Sequence, residues 1–401
     1  MIFRLAVENF YSIADRQELD LRVAENAPDE RSRLVRPWPN APLRYPAVVA
    51  LFGANASGKT NVLRAISFLR WWTVESFHAR PGSSFPLLPF QFLTKRLEPT
   101  RFEVDFAGPT DLNVTSEESQ LCTYTYELEI DSSRSRVNRE ALRYRPKSTG
   151  YPRRIFERIS DQSVKGSDMF PLEGFSQALE KILRPEVGLV STLAQLQHPQ
   201  ARRLWDITQW IYSNVFIDTQ DATPENAVPF YKNNPDYLAA LNQEIRRFDL
   251  GISGVHMTEI QGQPTVVFDH DGLDNAMLLR FESTGTRRFF SLFPALHQTL
   301  QTGGIAVIDE LDRDIHPMVL PEVIGWFHNP ERNPHGAQLW FTCHNPSILE
   351  ELIKEEIAFT EKDEGGRTSV FALTDIKGVR RVDNFYKQYL GGVYGAVPTI
   401  G

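Results

Sequence analysis

The chain contains 401 residues, of which 41% are hydrophobic and 23% charged, proportions typical of a globular protein with room for two or three hydrophobic cores. Its formal net charge of -8 excludes a protein that coats nucleic acid through bulk positive charge, although a local basic groove remains open. The two cysteines, Cys122 and Cys343, lie far apart without ligand-like spacing, which argues against a disulfide framework and a zinc site.

The sequence shows no signal for membrane insertion or export. No apolar run approaches the length of a membrane-spanning helix, and the first residues lack the tripartite plan of a signal peptide. Together with the few cysteines, these features predict a cytoplasmic protein without membrane contact.

The N-terminal part of the chain predicts strands that lead into a glycine-rich loop. Apolar residues within 1–21 indicate two strands, and the stretch 24–44, rich in Pro, Arg, Asp and Asn, indicates an exposed loop. Residues 47–52 form a short apolar run typical of a buried strand, and residues 61–69 carry apolar side chains at helical spacing.

Between that strand and that helix lies a phosphate-loop motif, G-x-x-x-x-G-K-[ST]. A strand, a glycine loop and a helix in this order direct backbone N–H groups and a helix N-terminus to one point, which attracts a polyphosphate. We expect Lys59 to reach the β- and γ-phosphates and Thr60 to supply a hydroxyl to Mg²⁺; the alternative is a chance match in a glycine-containing loop. The predicted nucleotide-binding residues are Gly53, Asn55, Ala56, Ser57, Gly58, Lys59, Thr60 and Asn61.

The middle of the chain divides into a strand-rich and a less regular part. Alternating residues at 100–106, 122–130 and 137–144 predict an antiparallel patch. Residues 150–245 predict helices at 175–183, 201–215 and 231–248. Three arginine pairs, two in this segment and one directly after it, form either solvated helix faces or a surface for a polynucleotide or an acidic partner: Arg153-Arg154, Arg202-Arg203 and Arg246-Arg247.

The C-terminal part predicts a hairpin and then alternating helices and strands. The hairpin comprises 265–268 and 277–281, with a turn near Asp271-Gly272. Helices are expected at 287–300 and 318–327, and buried strands at 305–308 and 338–342. Buried strands that end in polar residues and alternate with helices indicate a parallel α/β sheet with its site at the carboxyl edge.

Polar residues at two strand ends predict the second half of the nucleotide site. Asp309 would hold Mg²⁺, and Glu310 would orient and deprotonate the water that attacks the γ-phosphate. His344, one residue past the next strand, would hydrogen-bond a phosphate oxygen or that water. The alternatives are a helix start on the surface for the Asp-Glu pair and a structural role for the histidine.

The stretch Ser283-Thr284-Gly285-Thr286, at a helix start, offers a hydroxyl, free N–H groups and a positive helix end. One protomer cannot easily direct both this turn and the phosphate loop at the same γ-phosphate. A head-to-tail pair of protomers with two nucleotides between them would solve this, whereas the alternative is a plain N-cap.

In combination, these motifs resemble the ATP-binding-cassette (ABC) heads of structural-maintenance-of-chromosomes (SMC) and DNA-repair proteins. More narrowly, they resemble AAA-family ATPases of abortive-infection phage defence (AbiL/OLD-like), relatives of the overcoming-lysogenization-defect nucleases. The stretches that carry the resemblance are 5–13, 52–61, 89–91, 102–106, 248–252, 282–288, 309–312, 315–317, 341–345 and 389–398.

The resemblance implies ATP and Mg²⁺ as cofactors and a homodimer or higher even-numbered homo-oligomer. It implies that the turn at 283–286 acts in trans as a signature motif, and that a glutamine, for which Gln91 is the candidate, senses the γ-phosphate and the metal. Two positions depart from the family pattern: Thr284 stands at a glycine-type position of the signature, and His316 replaces an aspartate of transporter cassettes.

We therefore predict an α/β fold of the ABC-type ATPase head, with a mixed or parallel phosphate-loop sheet, an antiparallel β subdomain and a helical insertion. The expected units are residues 1–149 as the first ATPase lobe, 150–245 as a mainly helical insertion and 246–401 as the second lobe. No sustained heptad run indicates a coiled coil. The expected branch is the stand-alone ATPase without a Toprim nuclease domain.

The predicted function is an ATPase that dimerises around ATP–Mg²⁺ and regulates or scaffolds a separately encoded effector, a nuclease or toxin, in anti-phage defence. The residues support the ATPase, whereas the defence role rests on the resemblance. Two alternatives stay open: a DNA-repair or recombination ATPase that binds duplex DNA, and a scaffold that binds ATP with little turnover.

Overall fold

The structure is a computed structural model that describes residues 1–29, 33–114, 120–146, 150–160, 164–215, 224–248 and 251–398. Asp249 and Leu250, in one of the stretches that carry the resemblance, lie outside the described residues. In the described part of the chain, no helix is both long enough and apolar enough to span a membrane.

The chain alternates between strands and helices throughout. The strands are β1 Ile2–Glu8, β2 Gln17–Asp20, β3 Val23–Ala24, β4 Leu34–Val35, β5 Leu43–Pro46, β6 Val48–Phe52, β7 Thr100–Pro109, β8 Leu121–Asp131, β9 Arg136–Arg145, β10 Arg153–Ile159, β11 Lys165–Gly166, β12 Ile211–Ser213, β13 Ile252–Ile260, β14 Gln263–His270, β15 Met277–Leu278, β16 Ile305–Ile308, β17 Gln338–Thr342, β18 Ile357–Lys362 and β19 Thr368–Ala372. The helices are α1 Lys59–Val74, α2 Ser176–Ile182, α3 Leu189–Gln195, α4 Pro199–Gln209, α5 Val228–Asn233, α6 Pro235–Arg247, α7 Thr284–Thr302, α8 Leu320–His328 and α9 Phe385–Leu390.

A six-stranded sheet, in the order β12-β16-β17-β6-β18-β19, forms the centre of the molecule. The strands from β12 to β18 run parallel, and β19 alone is antiparallel to its neighbour. Strands β6, β16 and β17 are buried along their whole length, because helices cover both faces of the sheet. The predicted α/β fold with a parallel core sheet is confirmed.

Alternate residues of β6 belong to two different hydrophobic cores. Val49 and Leu51 pack in a cluster with α1 and a second, antiparallel sheet, whereas Val48, Ala50 and Phe52 pack in a cluster with α7 and α8. Successive side chains of a strand point to opposite faces, so this one strand forms part of both cores.

The antiparallel sheet has the order β11-β10-β9-β8-β7-β1-β2. It contains the three strands predicted at 100–106, 122–130 and 137–144. Its inner face packs on α1 through an aromatic group in which the Phe102 ring centroid lies 5.1 Å from that of Phe68 and 5.2 Å from that of Phe10. Because α1 follows the phosphate loop directly, this packing fixes the helix N-terminus relative to the core sheet.

The segment 150–245 is less separate than the sequence suggested. It contains α2 to α6, but β10 extends the antiparallel sheet and β12 is an edge strand of the core sheet. The helix predicted over 201–215 is wrong at its end, since α4 stops at Gln209 and Ile211 pairs in parallel with Ile305. Sheet pairing here overrides helical spacing. The unit boundaries at 149 and 245 stay predictions.

Other elements also differ from expectation. The stretch 24–44, predicted as a loop, includes part of the small sheet β3-β5-β4. Of the strand predicted at 277–281, only β15 forms, and it pairs with β14 across the expected turn; a 3₁₀ turn follows at Leu279–Phe281. Strands β13, β18 and β19 and helix α9 were not predicted.

A buried ion pair lies between the antiparallel sheet and α3. Glu140 on β9 accepts hydrogen bonds from the Tyr126 hydroxyl at 2.9 Å and the Leu189 N–H at 2.9 Å. Arg158 Nη1 lies 3.7 Å from Glu140 Oε2, and both side chains are almost fully buried. Burial raises the pKa of Glu140, and the positive charge of Arg158 opposes that shift.

We predict that Arg158→Met destabilises the protein by about 3–5 kcal/mol at neutral pH, because it leaves a buried carboxylate without its counter-charge. In this variant the folded state holds a proton on Glu140 more tightly than the unfolded state does, because the pKa of Glu140 is raised in the folded protein. The loss of stability should therefore shrink as the pH falls through the raised pKa toward the ordinary value of 4.5. Urea denaturation at pH 7.5 and pH 5 measures both effects.

The control is Arg139→Met, which removes a guanidinium bonded to Glu127 and Glu157 on the more exposed face of the same sheet. We expect a loss of at most about 1 kcal/mol. Equal losses for the two variants, or a loss for Arg158→Met that does not depend on pH, would contradict this account.

Candidate nucleotide-binding site

A cavity of about 580 Å³ opens at the carboxyl edge of the core sheet. The phosphate loop after β6, the Asp-Glu pair after β16 and the turn after β17 surround it. Its lining residues are Asn55, Ala56, Ser57, Gly58, Lys59, Thr60, Asn61, Asp309, Glu310, Thr342, His344 and Lys362. The structure therefore brings together, in one cavity, most of the residues that the sequence predicted for the site.

The phosphate loop has the backbone path that its glycines permit. Gly58 has a φ of 111° and directly precedes α1, so the free N–H groups of the helix N-terminus lie at the cavity. The ammonium group of Lys59 donates to the carbonyls of Gly53 at 2.9 Å and Ala54 at 3.0 Å. Burial lowers the pKa of Lys59, and the negative charge of Asp309 partly offsets this.

Asp309 lies at the centre of a cluster of oxygen atoms. Its carboxylate accepts from the Thr60 hydroxyl at 2.9 Å and from the Thr342 hydroxyl at 2.6 Å. Its backbone is held by Asn214 at the end of β12, whose side chain accepts from the Asp309 N–H at 2.7 Å and donates to its carbonyl at 3.0 Å. A hydroxyl and a carboxylate side by side at a phosphate loop are hard oxygen ligands, and this chemistry fits Mg²⁺.

Glu310 adopts a backbone conformation that is rare for a residue with a side chain, with a φ of 51°. Its N–H donates to the Thr342 hydroxyl at 2.7 Å. Its carboxylate is partly exposed and lies 3.6 Å from His344 Nε2 and 3.5 Å from Arg313 Nη1. The strained backbone at Glu310 thus directs the carboxylate away from the sheet and toward the cavity.

The turn that carries His344 is tied to the loop after Glu310. The Asp312 carboxylate accepts from the backbone N–H groups of His344 at 2.9 Å and Asn345 at 2.8 Å. These two hydrogen bonds hold the loops together and keep the imidazole near the Glu310 carboxylate.

Gly53 and two further sets of predicted residues lie outside the cavity lining. Gln91 is exposed, and its amide donates to the Pro89 carbonyl at 2.7 Å. Ser283 caps α7, since its hydroxyl accepts from the Thr286 N–H at 3.1 Å, as the N-cap alternative expected. The metal-sensing role of Gln91 and the in-trans role of the turn stay predictions.

The turn at 283–286 nevertheless contacts the loop that follows Glu310 in its own chain. A Cβ on Gly285 would lie 2.5 Å from the Asp314 carbonyl, so the turn and the loop pack backbone against backbone. Arg288, on the first turns of α7, donates to the Asp309 carbonyl at 3.3 Å. A shift of the turn would therefore reach the Asp-Glu pair directly.

The sequence did not point to Thr342, Asn214 or Lys362. Thr342 is the last residue of a buried strand, and its hydroxyl joins Asp309 to Glu310, a role that only the strand order reveals. Asn214 follows β12, which was predicted as part of a helix. Lys362 ends β18, which was not predicted at all.

A larger cavity of about 860 Å³ lies at the opposite edge of the core sheet, where strands β12 and β16 begin. Its lining is mainly apolar and includes Ile66, Val104 and Leu204. None of the residues predicted for the nucleotide site lines it. Although this cavity is the larger of the two, we therefore do not assign the phosphate-binding site to it.

A phosphate loop at the start of a helix, beside a parallel sheet whose strand β16 is followed by Asp-Glu, defines the class of P-loop ATPases. Within that class, the chain belongs to the family described as "AAA domain, putative AbiEii toxin, Type IV TA system", whose family model matches residues 48–350. No curated protein matches the sequence. The narrower resemblance to the AbiL/OLD-like branch stays a prediction.

Solved structures similar to this chain include heads of SMC proteins. The SMC head domain from Thermotoga maritima shares 13% identity at a TM-score of 0.40, covering 92% of this chain and 98% of that chain. An Smc head bound to the C-terminal winged-helix domain of ScpA shares 12% identity at a TM-score of 0.46, covering 93% and 99%. An Smc head with an extended coiled coil, bound to the C-terminal domain of ScpA and derived from Pyrococcus furiosus, shares 11% identity at a TM-score of 0.41, covering 98% and 99%.

Proposed function

We propose that this protein binds ATP with Mg²⁺ and hydrolyses it. The observation that carries the proposal is the convergence of Thr60, Asp309 and Glu310 in one cavity at the N-terminus of α1. The free N–H groups of the helix and the loop suit a polyphosphate, and the neighbouring hydroxyl and carboxylate suit its metal ion.

Each side chain has a definite task in this proposal. Thr60 and Asp309 would hold Mg²⁺, which would neutralise charge on the phosphates. Lys59 exchanges its contacts with the loop carbonyls for phosphate oxygens. Glu310 accepts the proton of the attacking water, and His344, 3.6 Å from Glu310, orients the carboxylate or the water.

We predict that Glu310→Gln binds ATP as the parent does and loses hydrolysis by about 10²–10⁴-fold, since the amide cannot accept the proton. Lys59→Ala should instead weaken ATP binding itself. Calorimetric titration with ATP and a phosphate-release assay separate the two effects. Glu331→Gln, an exposed carboxylate away from the cavity, is the control, and hydrolysis by Glu310→Gln at the parental rate would refute the assignment of the base.

We further propose that two protomers sandwich two nucleotides, each bound by the phosphate loop of one chain and the turn at 283–286 of the other. The turn lies outside the cavity of its own chain. The Ser283 hydroxyl already caps α7, so the groups that the turn would offer a partner are backbone N–H groups at the start of that helix. Phe281 lies two residues before the turn, and Met318 lies four residues after Asp314, whose carbonyl packs against Gly285. They are 62% and 75% exposed, as apolar residues at an interface would be in one isolated chain.

The sandwich predicts complementation between two inactive variants. Lys59→Ala lacks the phosphate-loop lysine and Ser283→Arg blocks the turn, so each alone should be inactive. Mixed together, heterodimers with one intact composite site should restore part of the ATPase activity. The control is each variant assayed alone at the same total protein concentration. Full ATPase activity in a strictly monomeric preparation of the parent protein would contradict the sandwich.

We also propose that the ATP cycle acts on a separately encoded effector in anti-phage defence. The family description names a toxin–antitoxin system, which supports a second gene product. Of the three arginine pairs, Arg202 stacks on Trp205 at 4.3 Å, Arg203 donates to the Asp111 carbonyl at 3.0 Å, and Arg247 pairs with Glu244 at 3.0 Å. These three are engaged within the chain.

The remaining pair, Arg153-Arg154, is exposed at the start of β10, and no described carboxylate forms an ion pair with it. Such a pair suits an acidic surface. We predict that reversal of both charges to Glu weakens co-purification with the neighbouring gene product and leaves ATPase activity unchanged. Pull-down after co-expression measures this, with Arg246→Glu as the control, and unchanged capture by the double variant would refute this docking surface.

A further inference from the structure

Lys362, the last residue of β18, lines the same cavity as the phosphate loop. In the described part of the chain, its ammonium group has neither an ion pair nor a hydrogen bond with a protein atom. Of the two adjacent acidic residues, Asp363 already accepts from the Arg367 N–H at 2.8 Å within the turn that follows, and the Glu361 carboxylate lies near Gly395. The cavity thus contains a second lysine whose charge no described group of the protein neutralises.

The hairpin that carries Lys362 is fastened directly to the phosphate loop. The hydroxyls of Ser57 and Thr360 are 2.6 Å apart, and the Thr368 hydroxyl donates to the Ser57 carbonyl at 2.7 Å. A Cβ on Gly53 would lie 2.3 Å from the Thr360 carbonyl, and one on Gly58 would lie 2.3 Å from the Thr368 hydroxyl. The two glycines therefore have two roles. They permit the backbone path of the phosphate loop, and their lack of a side chain lets the hairpin approach that loop closely.

The N-terminal turn braces this assembly from the other side. Ser12 accepts from the Thr368 N–H at 2.7 Å, and its hydroxyl accepts from the Asn61 amide at 2.7 Å. The hairpin turn itself closes through the Asp363 N–H, which donates to the Arg367 carbonyl at 3.0 Å. These contacts hold the backbone of Lys362 against the phosphate loop, and this places its side chain at the cavity.

Strand order decides which part of a nucleotide Lys362 can reach. In the sequence β16-β17-β6-β18, Glu310 and His344 follow strands on one side of β6, and Lys362 ends the strand on the other side. Adjacent strands lie about 4.8 Å apart, so Glu310 and Lys362 are about three strand spacings, or about 14 Å, apart at the sheet edge. If the γ-phosphate lies at Glu310, the phosphates nearer the nucleoside lie toward β18.

We propose that Lys362 is a second phosphate-binding lysine, which contacts the phosphates nearest the nucleoside, and that the hairpin β18–β19 is a wall of the nucleotide site. This inference rests on the proposed ATP site. Since ADP and ATP share these phosphates, Lys362 contributes to the binding of both, and it contributes little to the reaction at the γ-phosphate.

The experiment measures the dissociation constants of ADP and ATP by calorimetry, with Mg²⁺, for the parent, Lys362→Ala and Lys362→Arg. We expect Lys362→Ala to weaken ADP and ATP by the same factor, about threefold to thirtyfold for one lost charge-assisted contact at a partly exposed site. Lys362→Arg retains the charge and should keep most of the affinity. The deficit should shrink in 1 M NaCl, where ionic contacts are screened.

Turnover at saturating ATP provides an independent readout, because it should change by less than about twofold in Lys362→Ala, in contrast to the loss expected for Glu310→Gln. The control is Lys377→Ala, an exposed lysine beyond β19 that does not line the cavity. Thermal melting without nucleotide reports whether each variant folds, and Lys362→Gln replaces Lys362→Ala if the latter does not.

The outcomes separate the two proposals. Parental affinity in the uncharged variant overturns the role of Lys362 and leaves the ATP site intact. Loss of ATP affinity without loss of ADP affinity also overturns it, since the contact would then be to the γ-phosphate. A parent protein that binds neither nucleotide overturns the proposed function together with this inference.

Discussion

The carboxylate of Asp309 accepts hydrogen bonds from Thr60, on the first turn of α1, and from Thr342, at the end of β17. Its backbone is held by Asn214, which follows β12. One residue therefore joins a helix and three neighbouring strands of the core sheet, and the positions of the phosphate loop and of Glu310 depend on it. The cavity has its shape because these contacts close the sheet edge on one side while the hairpin β18–β19 closes it on the other.

The sequence predicted the parts of the fold in which one local pattern is sufficient. The apolar runs of β6, β16 and β17 are continuous because helices cover both faces of the sheet, so each run was recognisable by itself. The phosphate loop was recognisable because its glycines, lysine and threonine have fixed spacing. Together these placed Lys59, Thr60, Asp309 and His344 at one sheet edge, as the structure has them.

The remainder depends on contacts between residues far apart in the sequence. Strand β12 is three residues long and follows a helix, and only its pairing with β16 makes it a strand. Thr342 differs from other buried threonines only in its neighbours, Asp309 and Glu310. The same reasoning explains why the sequence could not place Gln91. This residue was selected by resemblance, and no local pattern determines the position of the loop in which it lies.

The division of β6 between two cores has a consequence for the way the molecule opens. Since Val49 and Leu51 pack on one side and Val48, Ala50 and Phe52 on the other, loosening either core removes half of the packing around this strand. Neither core can then come apart while the other keeps its full stability, so opening of the strand requires the global transition. The amide protons of β6, the strand that ends at the phosphate loop, should accordingly be among the slowest in the protein to exchange with solvent deuterium.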